Sequence, residues 1–209
     1  MSTTFYIMPT KVDDHLTFKN VLELARHTLR HQLEALSIPL KIQLSVDIHG
    51  NKESYIKTVD SETKFVWEQD EYAWFKANEM PGGTDAYCRK IDENLSIYES
   101  CSQYIEEALD GMTVTENMKE QILDCEYEWW FRRSAGQPPL INLAYGHLAA
   151  AVAKLSDGYI YSNDGGWHDR IFPATADQFL GIYFYPDKAT NPEDYDWVIS
   201  NLEGLKLIF

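Results

Sequence analysis

Leu140-Ile-Asn-Leu-Ala-Tyr-Gly-His-Leu-Ala-Ala-Ala-Val-Ala-Lys-Leu155 is apolar or small at nearly every position. A helix that is apolar around most of its circumference is a buried helix. Gly146, Ala149, Ala150 and Ala153 allow close approach by neighbours. Such a segment must be covered on several sides, and the rest of the chain has to supply the cover.

Working outward, Ser134-Ala-Gly-Gln-Pro-Pro139 is a clear break before that helix and the best candidate for a subdomain boundary. After it, Tyr159 to Ser162 reads as a short strand and Asn163-Asp-Gly-Gly166 as a turn. Thr175 and Gln178 form a capping box for a helix through about Phe184. Asn191 with Pro192 starts a last helix, Gly204 is expected to close it, and Leu205 to Phe209 reads as a final strand. At the other end of the chain, Thr4 to Met8 is a short strand stopped by Pro9. Thr17 caps a helix to about Leu36, whose stripe is Phe18, Leu22, Ala25, Leu29, Leu33 and Leu36. Leu40 to Ile48 alternates apolar and polar, and Ser54 to Val59 and Thr63 to Trp67 read as further strands. Glu68 to Asp85 resists assignment, and Tyr87 to Tyr98 reads as two strands. Ser100 with Gln103 and Thr113 with Glu116 fit two more capping boxes. The second opens a helix expected to run to about Arg133, with Met118, Ile122, Cys125 and Trp129 on one stripe. The sum is an α+β fold over residues 1–209, with a mainly antiparallel sheet in the N-terminal part packed against a helical C-terminal part.

The chain has 209 residues and a formal net charge of −15. Nineteen of its 33 acidic residues fall between positions 51 and 130. That acidity argues against nucleic acid and anionic membranes as direct ligands, since both are polyanions. It suits a basic protein partner, or simple solubility. Cys88, Cys101 and Cys125 are odd in number and form no C-x-x-C pair, which predicts buried thiols in a reducing compartment. The N-terminus lacks the features of a signal peptide and no apolar run approaches a membrane span. The expected location is the cytoplasm.

Few residues carry a chemical signature. His27 and His31 have helical metal-ligand spacing, but the H-E-x-x-H Glu is missing and both fall opposite the apolar stripe beside Arg26 and Arg30. His147 shares a face with Leu140, Leu143, Ala144 and Ala151, the setting of a hydrogen-bonded core histidine. Asp164-Gly-Gly-Trp-His-Asp169 is the densest polar cluster; it suits metal or acid–base work, or a tight Gly-rich turn. Glu68-Gln-Asp-Glu-Tyr-Ala-Trp-Phe75 sets three carboxylates beside Tyr72, Trp74 and Phe75. It has the composition of an interface hot spot, or of an exposed acidic loop whose aromatics turn inward.

One stretch is similar to known proteins. Phe131-Arg-Arg-Ser-Ala-Gly-Gln-Pro-Pro, the Ala-rich helix, Gly158-Tyr-Ile-Tyr-Ser-Asn-Asp-Gly-Gly-Trp and Phe172-Pro-Ala-Thr-Ala-Asp-Gln-Phe resemble the C-terminal part of bacterial immunity proteins of polymorphic and type VI secreted toxins. The likeness covers about a quarter of the chain and supplies no catalytic residues. Where the pattern has Asp directly after the Trp of the turn, this chain has His168 and then Asp169. The resemblance implies a non-enzymatic cytoplasmic inhibitor without a cofactor, occluding a basic toxin domain such as a nuclease. The expected contact set is Glu68, Asp70, Glu71, Tyr72, Trp74 and Glu79. The alternatives are a small metal- or ligand-binding enzyme using Asp164, His168 and Asp169, with a pocket where that turn meets His147, and a structural or regulatory subunit.

Overall fold

Seven antiparallel pairings join eight strands into one sheet in a computed structural model of the chain, which describes residues 2–52, 54–91, 116–165, 167 and 171–208. The strands are β1 (Thr3–Met8), β2 (Leu44–Gly50), β3 (Ile56–Thr58), β4 (Glu71–Ala77), β5 (Thr84–Lys90), β6 (Tyr127–Arg133), β7 (Tyr159–Tyr161) and β8 (Ala174–Thr175). Their spatial order is β3-β2-β4-β5-β6-β1-β7-β8. The helices are α1 (Phe18–Ala35), α2 (Glu116–Leu123), α3 (Pro139–Leu155), α4 (Ala176–Leu180) and α5 (Pro192–Ile208). The fold is therefore α+β with an antiparallel sheet. Strands from both sides of the Ser134–Pro139 break lie in that sheet. Among the described residues, no helix is long and apolar enough to cross a membrane.

Period-two alternation sorts the sheet residues. Phe5, Ile7, Ala73, Phe75, Ala86, Cys88, Trp129, Phe131 and Ile160 are buried and join one core cluster with the apolar residues of α1 and α3. Burial pushes the Cys88 thiol up to about 12. As its composition predicts, α3 is buried continuously from Leu140 to Ala153. It packs on α1 and on β1, β6, β7 and β4. Gly146 makes this possible on one side, because a Cβ there would lie 2.2 Å from the Tyr183 ring. Thr17 caps α1 by accepting the Asn20 N–H, and the Thr175–Gln178 box caps α4.

His147 is a core residue, 1 % exposed. Its Nε2 lies 2.6 Å from Gln32 Oε1, and Gln32 Nε2 donates to the Tyr183 carbonyl. Oε1 is thus an acceptor, so Nε2 carries the imidazole proton. Nδ1, 2.8 Å from Thr28 Oγ1, is the acceptor nitrogen and receives a hydrogen bond from that hydroxyl, whose other available acceptor is the Ala25 carbonyl at 3.1 Å. Burial holds the imidazole neutral, with a pKa lowered to about 3.

Several expected elements differ. The helix expected to reach Arg133 stops at Leu123, and Tyr127–Arg133 is a strand paired on both sides, with β5 and β1. The 3–4 stripe through Ile122, Cys125 and Trp129 fits a helix, but the aromatic run Tyr-Glu-Trp-Trp-Phe has strand propensity and alternates in burial. Leu205 onward continues α5 rather than forming a strand. Gly204 is no terminator, since its missing Cβ accommodates the Pro139 ring at 2.7 Å. Val198, Leu202 and Leu205 are buried at helical spacing. Thr63 to Trp67 forms only an isolated bridge, Thr17 to Lys64, and β2 begins at Leu44 rather than Leu40. The helix expected through about Phe184 ends at Leu180. The unassigned stretch holds β4 and the start of β5. Cys101, Ser100, Gln103, Thr113 and the stretch from Asp92 to Tyr98 lie outside the described residues.

Candidate functional site

The sheet face opposite the α1–α3 core carries a row of aromatic rings. Tyr72 and Trp74 alternate with the buried Ala73 and Phe75 and are half-buried. Register sets His49 of β2 across from Tyr72, and Asp85 of β5 across from Trp74. Ring centroids are 5.2 Å apart for His49 and Tyr72, 6.0 Å for Tyr72 and Tyr87, and 5.3 Å for the stacked pair Tyr87 and Trp130. Same-face neighbours on adjacent strands interact in this way. Arg132 lies over Tyr87 and Arg89 over Trp130. Burial and the adjacent Asp85 push the Tyr87 phenol up to about 12.

The structure divides the expected contact set. Tyr72 and Trp74 are together on this face, while Glu68 and Asp70 are exposed at the start of β4. Glu79 is exposed beyond the other end of β4, which at strand rise is about 23 Å long. Glu71 is withdrawn, only 4 % exposed. Its carboxylate accepts from Tyr55 Oη at 2.6 Å, Lys57 Nζ at 3.3 Å and the Glu68 N–H at 3.2 Å. Burial acts to raise its pKa, but these donors outweigh it and hold the carboxyl below its usual range. Glu71 is therefore held at the start of β4 by donors from and beside β3, and is not exposed for contact. Sequence alone put it in the contact set because alternation was not traceable through Glu68–Asp85.

The acidic band is also partly neutralised. Glu62 pairs with Lys19, Asp70 with Lys52, Asp85 with Arg132, Glu126 with Lys90 and Glu128 with Arg89. Glu68, Glu79, Glu120 and Asp124 have no ion pair among the described residues.

The Asp164 turn has a structural role. Asp164 Oδ1 accepts from the Thr4 N–H and from Ser162 Oγ, both at 3.0 Å, which ties the turn to β1. His168 and Asp169 lie outside the described residues. Among the described residues, no group of three His, Cys, Asp or Glu is placed to hold a metal ion. Among the described residues, the hydrogen-bond partners of His147 are Thr28 and Gln32, not this turn. His147 borders a separate cavity of about 240 Å³ with the exposed His27 and His31.

The cavity beside the turn is larger, about 860 Å³, and contains an unexpected residue. Arg133 lines it together with Asp164, Trp167, Asn142 and Trp197. Reading residues to Arg133 as a helix hid this placement. The alternation of Trp129, Phe131 and Arg133 on one side of a strand is the signal that would have shown it.

No family model, curated protein or solved structure matches the chain.

Proposed function

We propose that this chain is a cytoplasmic immunity protein that acts by binding, covering the active site of a basic secreted toxin domain without catalysis or cofactor. The observation that carries this is the row of half-buried aromatic rings led by Tyr72 and Trp74, with exposed Glu68 and Asp70 at its margin. Aromatic side chains anchor interfaces at low entropic cost, and marginal charges set on-rate and orientation. The net charge of −15 steers a cationic partner, and a nuclease must be cationic to hold its polyanionic substrate.

The test is co-expression with the toxin domain encoded by the adjoining gene. Growth arrest by that domain, relieved by this chain and not by its Trp74→Ala variant, is the expected outcome. Trp74→Ala should weaken the complex by about 2 kcal/mol, roughly thirtyfold in Kd. A neighbouring product that is neither toxic nor bound would overturn the proposal.

A further inference from the structure

We propose that the cavity beside the Asp164 turn binds a small organic carboxylate, gripped by the Arg133 guanidinium against the Trp197 ring. This goes beyond the immunity proposal and can fail or hold independently of it.

Arg133 is 8 % exposed. A charge taken out of water is costly unless an opposite charge or enough hydrogen-bond partners compensate it. Thr3 Oγ1 accepts from Arg133 Nε at 3.2 Å and from Nη2 at 3.0 Å, and Asn142 Oδ1 accepts from Nη1 at 3.2 Å. These acceptors are neutral. Among the described residues, no carboxylate forms an ion pair with Arg133. A guanidinium has five N–H donors, so one remains on each terminal nitrogen. Two terminal N–H donors on one guanidinium suit bidentate recognition of a carboxylate. The guanidinium carbon lies 4.8 Å from the Trp197 ring centre and 5.8 Å from that of Tyr145, so aromatic faces hold its plane.

Two further features shape the cavity around Arg133. Trp167 is 3 % exposed and lines the cavity, giving it an aromatic wall suited to the organic part of a ligand. The first turn of α3 borders the cavity through Pro139 and Asn142, so the positive end of the helix dipole lies on that side. The cavity volume of about 860 Å³ is that of a small-molecule site.

Asp164, Glu193 and Asp194 line the same space. Asp194 is engaged with Asn191, and Asp164 with Thr4 and Ser162. These three carboxylates repel anions in general, a doubly charged phosphate more than a singly charged carboxylate seated directly on Arg133.

The test is titration of the purified full chain with phenylacetate and, separately, with inorganic phosphate, followed by tryptophan fluorescence and calorimetry. Saturable binding of phenylacetate, at least about tenfold tighter than phosphate, is expected. Arg133→Met should abolish it while the free protein stays folded, since the variant removes a buried cation that has no counter-charge. Arg133→Lys keeps the charge but not the guanidinium, and should bind about tenfold more weakly. No saturable signal with phenylacetate, equal binding of phosphate, or undiminished binding by either folded variant would overturn the assignment.

Discussion

His147 bridges α1 and α3 as a neutral imidazole, and protonation would place a charge in the core. Its folded pKa of about 3 lies below the ordinary value of 6.5. Between those values the unfolded chain binds a proton that the folded chain refuses, so stability falls as the solution is acidified. Full stability is present above the unfolded value, and the loss continues down to the folded one. Urea unfolding should show about 2 kcal/mol less stability at about pH 5 than at about pH 7.5. His147→Gln should remove most of that slope; an unchanged slope would show that another group causes it. Glu71 adds a second acid-sensitive contribution. Its lowered pKa gives stability that is present above the ordinary 4.5 and lost as pH falls through the folded value. Glu71→Gln replaces one oxygen by an NH2 among three donors, and should cost about 1–2 kcal/mol by the urea midpoint. A neutral outcome would return Glu71 to the candidate contact set.

Among the elements, α3 was the most legible, because composition alone demands burial when a helix has no polar face. Its tightest contact is Gly146 against Tyr183. That ring cannot swing away, since Tyr183 Oη donates to the Asn142 carbonyl at 2.6 Å. Gly146→Ala should therefore cost about 1–3 kcal/mol in thermal unfolding, where a helix-propensity argument alone would predict a gain. The strand β6 was not legible. Ile122, Cys125 and Trp129 satisfy a helical period, and only pairing with β5 and β1, distant in sequence, decides against it. The same error removed Arg133 from view, since a helix end would have left it in solvent. Gly204 misled for a related reason. A glycine serving close packing on Pro139 and one serving as a helix terminator look alike until the neighbour is known.

At the scale of the whole molecule, the charge count overstated the acidic surface. Buried Glu71, Asp85 and Glu128 each meet a basic side chain within the sheet. Binding of a basic partner should then depend on salt less steeply than nineteen free carboxylates would imply, though still measurably. An affinity indifferent to ionic strength would leave only the aromatic row to account for binding. The central position of β1 also bears on how the protein comes into being. The strand Thr3–Met8 is made well before its two partners, which begin at Tyr127 and Tyr159. It leaves the ribosome long before either neighbour exists. Pairings so remote in sequence slow folding, so refolding from denaturant should take milliseconds to seconds, as in sheet proteins of high contact order. Nascent chains halted before Tyr127 should be cut by protease within Thr3–Met8, and protection should appear only after Tyr161 has emerged. Synthesis thus holds the first strand in waiting until the last third of the chain arrives.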